Sequence, residues 1–211
     1  MEKCTNASET SLTHEEYLDI FRKSEALLEG HFLLTSGKHS AQYMQCAQVL
    51  QYPDRAAILA EGLAQAFRDQ EIQTVIGPAM GGIIVAHEVA KALGVRSLFT
   101  ERENGIMRLR RGFTLSPCER VLVVEDVITT GGSVQEVLAV VREFGAIPVG
   151  VGILVDRTGG KVDFGTPMAS IVQLNIQAYE AKECPLCAQG IPVVKPGSRK
   201  VRNLDPNTFR I

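Results

Sequence analysis

The chain lacks several features, and each absence removes a class of protein. No apolar run reaches the roughly 18 residues of a membrane-spanning helix, so no membrane partner is expected. The N-terminus, MEKCTNASET, has no apolar signal region, and the expected location is cytoplasmic. Asn6-Ala7-Ser8 matches a glycosylation acceptor, a chance match without a secretory signal. Charge of one sign is also missing: 22 basic residues face 24 acidic ones, for a net charge of −2. That balance leaves no basic footprint for nucleic acid. Internal repeats and low-complexity segments are absent. Cysteines are few, and their number, five, is odd; Cys4, Cys46, Cys118, Cys184 and Cys187 are too scattered for a disulfide framework. Cys184-Pro-Leu-Cys187 is a CxxC, but a zinc knuckle wants a second pair and none is found along the chain. A surface turn with two reduced thiols is the expectation, with a shared metal site or a redox pair as alternatives.

What remains is an ordinary globular composition, 45% hydrophobic and 22% charged. A length of 211 residues suits one domain with a full core. Thr13-His-Glu-Glu16 has capping-box form, and Leu18, Phe21 and Leu28 trace a helical stripe ending at Gly30. A short strand and a turn follow in 31–50. A helix starting near Pro53 should bury Ile58, Leu63, Ala66 and Phe67. From Thr74 onward, short runs of Val, Ile and Leu alternate with helical segments closed by Gly94 and Gly145. That alternation predicts an α/β fold, a parallel sheet with helices on both faces. "NGIMRLRRGFTLSP" reads as a hairpin or mobile flap, and 184–211, with four prolines, as an irregular tail.

The segment Val121–Ser133, "VLVVEDVITTGGS", is the most informative. Two adjacent carboxylates repel each other and resist burial. At the carboxyl end of a parallel strand they would stand where ligands bind. The Thr129-Thr-Gly-Gly-Ser133 turn opens a helix, whose first amides and positive dipole end suit a phosphate. A plain strand-to-helix turn explains the glycines but not Glu125 and Asp126. The turn is neither a Walker loop nor GxGxxG. A carboxylate pair accepts hydrogen bonds from vicinal hydroxyls, as on a ribose. A Mg²⁺-binding acid pair is the competing reading, though no P-loop is present for it to serve.

"VLVVEDVITTGGS" resembles the 5-phosphoribosyl 1-diphosphate (PRPP) motif of the type I phosphoribosyltransferases. "IGPAMGGIIVAHEVAKALG" is similar to that family's pyrophosphate loop. "EGHFLLTSGKHSAQYMQ", "DRTGG" and "ECPLCAQGIPVVKPGS" resemble the orotate-using branch, over roughly residues 25–198. The resemblance implies a Rossmann-like core over 53–175 with a small N-terminal hood within 1–50 and a tail from 176 to 211. It implies transfer of phosphoribose from PRPP to N1 of orotate, with Mg²⁺ held mainly by PRPP rather than by protein ligands, in a homodimer that shares its flap. Glu125 and Asp126 would hold the ribose. Val127, Ile128, Thr129, Thr130, Gly131, Gly132 and Ser133 would form the 5′-phosphate loop, with Thr129 also near orotate. Ala79, Met80 and Gly81, within a loop running from Pro78 to Gly82, would wrap the pyrophosphate, and Arg102 would reach its oxygens. Arg157 would meet the orotate carboxylate; Ser40, Tyr43 and Met44 would lie beside the base.

The sequence departs from the family pattern at three places. Met80-Gly81 stands where a lysine is common, Thr35 where another is, and Glu103–Arg111 has neither Lys nor His. Arg108, Arg110 or Arg111 could supply flap charge, with Arg108 the residue expected to assist the leaving group. An arginine stabilises charge but cannot donate a proton. The rival readings are a purine phosphoribosyltransferase and a PRPP-sensing regulator. The first would not need Arg157 for a carboxylate. The second would need a DNA-binding appendage that the N-terminus is too short and too acidic to provide. Among the histidines, His14 is expected in a cap region and His87 on a helix surface, with His39 in the base-binding turn.

Overall fold

A computed structural model of the chain describes residues 12–34 and 36–196. The expectations for the first residues, for Cys4, for Thr35 and for the end of the tail therefore lie outside the described residues. In chain order the helices are α1 (His14–Lys23), α2 (Ala47–Leu50), α3 (Pro53–Gln65), α4 (Gly81–Leu93), α5 (Gly132–Glu143) and α6 (Pro185–Ala188). The strands are β1 (Leu27–Leu33), β2 (His39–Met44), β3 (Thr74–Pro78), β4 (Arg96–Glu103), β5 (Ile106–Leu109), β6 (Arg120–Ile128), β7 (Ile147–Asp156) and β8 (Met168–Gln173). They divide into two compact units: residues 12–27 with 44–175, and residues 28–43 with 176–196.

The first unit holds a six-stranded sheet in the order β5-β4-β3-β6-β7-β8, parallel except for the antiparallel β4–β5 pair. β3 leads through α4 to β4 on one side; β6 leads through α5 to β7 on the other. The direction of winding reverses between the adjacent strands β3 and β6, which makes their carboxyl ends a topological switch point. Alternation along β6 covers both faces. Val121 and Val123 join the α5 core with Val134, Val137, Leu138 and Val141. On β7, Gly150 lies beneath Phe67 and Leu122, and Gly152 beneath Leu63, which brings α3 and the turn after it onto the opposite face.

Two helices differ from the sequence expectation. α1 begins with the predicted capping box, the Glu16 carboxylate accepting the Thr13 amide at 2.7 Å. It ends at Lys23 rather than Gly30. Glu25 takes a left-handed φ of 53°, and the Glu25 and Ala26 amides donate back to the carbonyls of Arg22 and Phe21. That is a Schellman ending with glutamate in the usual glycine place, so the sequence carries no stop signal there. Leu28 and Gly30 belong to β1 instead. In α3 the buried stripe is Ala56, Leu59, Ala60, Leu63 and Ala64, with Phe67 beyond. Ile58 is 44% exposed because it lies about 100° around the helix from the buried Leu59, and Ala66, just past the end of the helix, is exposed. The flap segment is a hairpin, β4–β5, closed by Asn104-Gly105 with both φ values positive, the chemistry of a two-residue turn.

The second unit contains the β1–β2 hairpin, flanked by the chain from Ile176. Tyr179 pairs with His39, and Val194 bridges to Phe32. The expected irregular tail is, over its described part, backbone-bonded to the hairpin.

Candidate active site

β6 runs two residues past the acids, to Ile128, so Glu125 and Asp126 sit inside the last paired turn of the strand rather than after it. The ladder fixes their backbone: Glu125 pairs with Ile153 and Val127 with Val155. The side chains are fixed locally. Val127 N–H donates to Asp126 Oδ1 at 2.8 Å, and Asp126 N–H donates to Glu125 Oε1 at 3.1 Å. Asp126 Oδ2 faces Gly81. Glu125 is buried, and burial first, then the neighbouring Asp126 charge, pushes its carboxyl up to about 9. A carboxyl so placed seeks hydroxyl donors or a cation.

Beyond the acids, Glu125 and residues 127–134 line a small polar cavity of about 70 Å³. Gly131 turns the chain at φ 75°, and no side chain caps α5. The first amides of this helix therefore have no intrahelical partner, and their residues line the cavity. Thr129 and Thr130 are exposed at its rim and Ser133 is half-buried. A second uncapped start lies next to it: α4 opens at Gly81, behind the loop Pro78-Ala79-Met80. Ala79 N–H donates to Thr100 O at 2.8 Å, tying the loop to β4, and the Ala79–Met80 peptide is cis. Met80 stands 82% exposed at the tip, where a family lysine was missed in the sequence. Two uncapped helix starts thus flank one acid pair.

Arg157 follows β7, and its amide donates to Ile128 O at 2.9 Å, which places its backbone beside the turn that leads into α5. Cys46 was not singled out for the site. Its thiol, fully buried, donates to Asp126 O at 3.6 Å. Burial pushes that thiol well up, the Asp126 and Glu125 charges add to this, and the Arg157 charge opposes them. It is a neutral packing group beneath the acids, and nothing in its sequence context marks it.

The other predicted residues have the following partners and positions. Arg102 pairs with Glu136 on α5 through both nitrogens, at 2.8 and 3.0 Å, and donates to Gly105 O. Arg110 and Arg111 both hold Glu101, at 3.1 and 3.0 Å, while Arg108 is 3.7 Å from Glu103. Tyr43 belongs to the second unit, where its ring packs on Phe32; Ser40 there donates to Gln177 O. Met44 begins the longer segment of the first unit and is buried. His14 starts α1 and His87 is exposed on α4, as expected; His39 instead is buried against His31 and Cys187.

Comparison with known proteins agrees with this geometry. Residues 45–181 match the phosphoribosyl transferase domain model. The orotate phosphoribosyltransferase of Caldanaerobacter subterraneus subsp. tengcongensis is 59% identical over 89% of this chain and 98% of its own. That of Desulforamulus reducens is 59% identical over 90% and 100%. The crystal structure of orotate phosphoribosyltransferase from Aeropyrum pernix superposes with a TM-score of 0.60 at 29% identity, over 74% of this chain and 92% of that one. With uncapped helix starts either side of an acid pair and relatives this similar along nearly its whole length, the chain belongs to the phosphoribosyltransferase family, in its orotate phosphoribosyltransferase branch.

Proposed function

We propose how this chain carries out orotate phosphoribosyl transfer, the reaction that joins PRPP and orotate into orotidine 5′-monophosphate and pyrophosphate. The carrying observation is the acid pair set between the two helix starts. The 5′-phosphate sits on the amides of Gly132, Ser133 and Val134, with the hydroxyls of Thr129, Thr130 and Ser133 as further donors. Glu125 and Asp126 accept the ribose hydroxyls. The Ala79-Met80-Gly81 loop and the start of α4 take the diphosphate. Arg157 meets the orotate carboxylate with its planar fork, and Met44 lies beside the base.

The anomeric carbon gains oxocarbenium character as the diphosphate leaves. The chain's main contribution is positioning both reactants and aiming fixed donors at the departing charge. Oxygen-only donors at the acid pair fit a hard cation; Asp126 is the residue that would face Mg²⁺ carried in on the diphosphate. When bound, that ion supplies charge neutralisation at the leaving group. Arg108 adds positive charge from the β4–β5 flap, which excludes water on closing. Sharing of this flap across a homodimer, and a cytoplasmic setting, complete the reading; among the described residues no helix is long and apolar enough to cross a membrane.

A base panel with PRPP and Mg²⁺ tests it. Pyrophosphate release should require orotate, and Asp126→Asn should abolish most turnover with the circular dichroism unchanged. Release with adenine, guanine or hypoxanthine but not orotate would overturn the base assignment. Wild-type turnover in the Asn variant would remove the ribose role.

A further inference from the structure

We infer that His31, His39, Cys184 and Cys187 form a tetrahedral zinc site inside the second unit. The inference is independent of the phosphoribosyl chemistry, since all four residues belong to the unit built from 28–43 and 176–196.

The four ligand atoms lie within 4.8 Å of one another. His31 Nε2 stands 3.5 Å from Cys184 Sγ and 3.7 Å from Cys187 Sγ; His39 Nδ1 stands 3.2 Å from Cys187 Sγ. Zinc bonds of about 2.0–2.1 Å to nitrogen and 2.3 Å to sulfur place tetrahedral neighbours about 3.3–3.8 Å apart. The imidazole nitrogens, 2.8 Å apart, need to open only slightly to admit the ion. Two soft thiolates with two imidazoles and no carboxylate select zinc over magnesium or calcium.

The tautomer is prepared for it. His31 Nδ1 lies 2.7 Å from the Ile191 carbonyl oxygen, which can only accept. Nδ1 therefore carries the proton, and Nε2 in the neutral ring turns a lone pair toward the cluster. Without a metal that lone pair accepts a hydrogen bond from His39 Nδ1–H; on zinc binding His39 carries its proton on the other ring nitrogen, and the ion takes the place of the shared hydrogen.

The unit also needs a centre of this kind. His31, His39 and Cys184 are buried, at 3, 8 and 2% exposure, and Cys187 lies at the surface, an entry path. Phe32 is the one buried large apolar side chain among the unit's described residues. The tail's Ile191, Val193 and Val194 are exposed. A segment this short without an apolar core is stable when cross-linked. His31 is on β1, His39 opens β2, and Cys184-Pro-Leu-Cys187 wraps the start of α6, so one ion would join the hairpin to a segment about 150 residues later in the chain. Four protein ligands leave no open position, which makes the site structural rather than catalytic.

The test is metal analysis of the full chain, purified with reductant and without chelator, then reconstituted with zinc alone. One zinc per chain is expected. Cobalt substitution should give thiolate charge-transfer absorption and the intense visible bands of a tetrahedral site. Cys184→Ser and His31→Ala should lose both, and Cys118→Ser, which changes an exposed thiol outside the cluster, should lose neither. Less than half an equivalent of zinc after reconstitution, a weak octahedral cobalt spectrum, or a Cys184–Cys187 disulfide with no metal would overturn the proposal.

Discussion

The Asp126 carboxylate lies against the Cα of Gly81, so close that a methyl group on Gly81 would fall within it. The loop after β3 and the acid at the end of β6 are therefore one device. Gly81→Ala should push the carboxylate or the loop aside. A displacement of about 1 Å is enough to cost roughly 100-fold in kcat/KM for PRPP. Steady-state kinetics with an unchanged thermal midpoint would support this reading; a silent substitution would separate the two elements.

Glu125 links the site to pH. Its carboxyl is held up to about 9 in the fold, against roughly 4.3 in an unfolded chain. The folded chain then binds the extra proton across that window, so this group's stabilising contribution is present below the unfolded value and lost as pH rises through the folded one. Hydroxyl donors and a cation favour the charged form, so PRPP with Mg²⁺ should release a proton at neutral pH. Calorimetry in buffers of different ionisation enthalpy measures that release. Glu125→Gln should abolish it and flatten the alkaline loss of stability.

Gly131 makes the turn into α5 possible. At φ 75° a side chain costs about 1–2 kcal/mol, and a Cβ there would also stand 2.8 Å from the Phe164 ring. Gly131→Ala should lower the unfolding free energy by at least that amount and raise KM for PRPP. The chain has no tryptophan, so denaturant unfolding is best followed by circular dichroism.

At the opposite edge of the sheet, Glu119 joins three strand beginnings. Arg96 donates to Glu119 Oε1 at 2.6 Å and to Thr74 Oγ1 at 3.0 Å, and the Ser116 amide donates to Glu119 Oε2 at 2.8 Å. Burial pushes this carboxyl up, but the Ser116 amide, the Thr74 hydroxyl and Arg96 outweigh it and hold it below the usual range. The contribution is present above the unfolded value and lost as pH falls through the folded one. Glu119→Gln should cost about 1–3 kcal/mol at neutral pH and less in acid, with kcat unchanged. Unfolding curves at neutral and acid pH check it.

In the flap, Arg110 and Arg111 are tied to Glu101 at 3.1 and 3.0 Å, whereas Arg108 approaches Glu103 only at 3.7 Å. Arg108 is the readiest to turn to a leaving group. Arg108→Ala should lower kcat more than Arg111→Ala does, in single-turnover measurements that isolate the chemical step.

Much of this was legible along the chain. The capping box of α1, the glycine ends of α4 and α5, the buried runs of the sheet and the Asn104-Gly105 turn all follow from local spacing and backbone preference, which act over a few residues. The same locality placed the acid pair at the carboxyl end of a buried strand and its glycine turn at the start of a helix. The end of α1 was not readable, because Glu25 adopts a glycine conformation that its side chain does not announce. Only the tertiary structure decided the strand order that puts β3 beside β6, and so brought Gly81 against Asp126. Only it gave the CxxC its second pair, two histidines on separate strands about 150 residues earlier. Local chemistry is written in neighbouring residues; contacts between distant ones depend on which buried surfaces pack together, and that is a property of the whole chain.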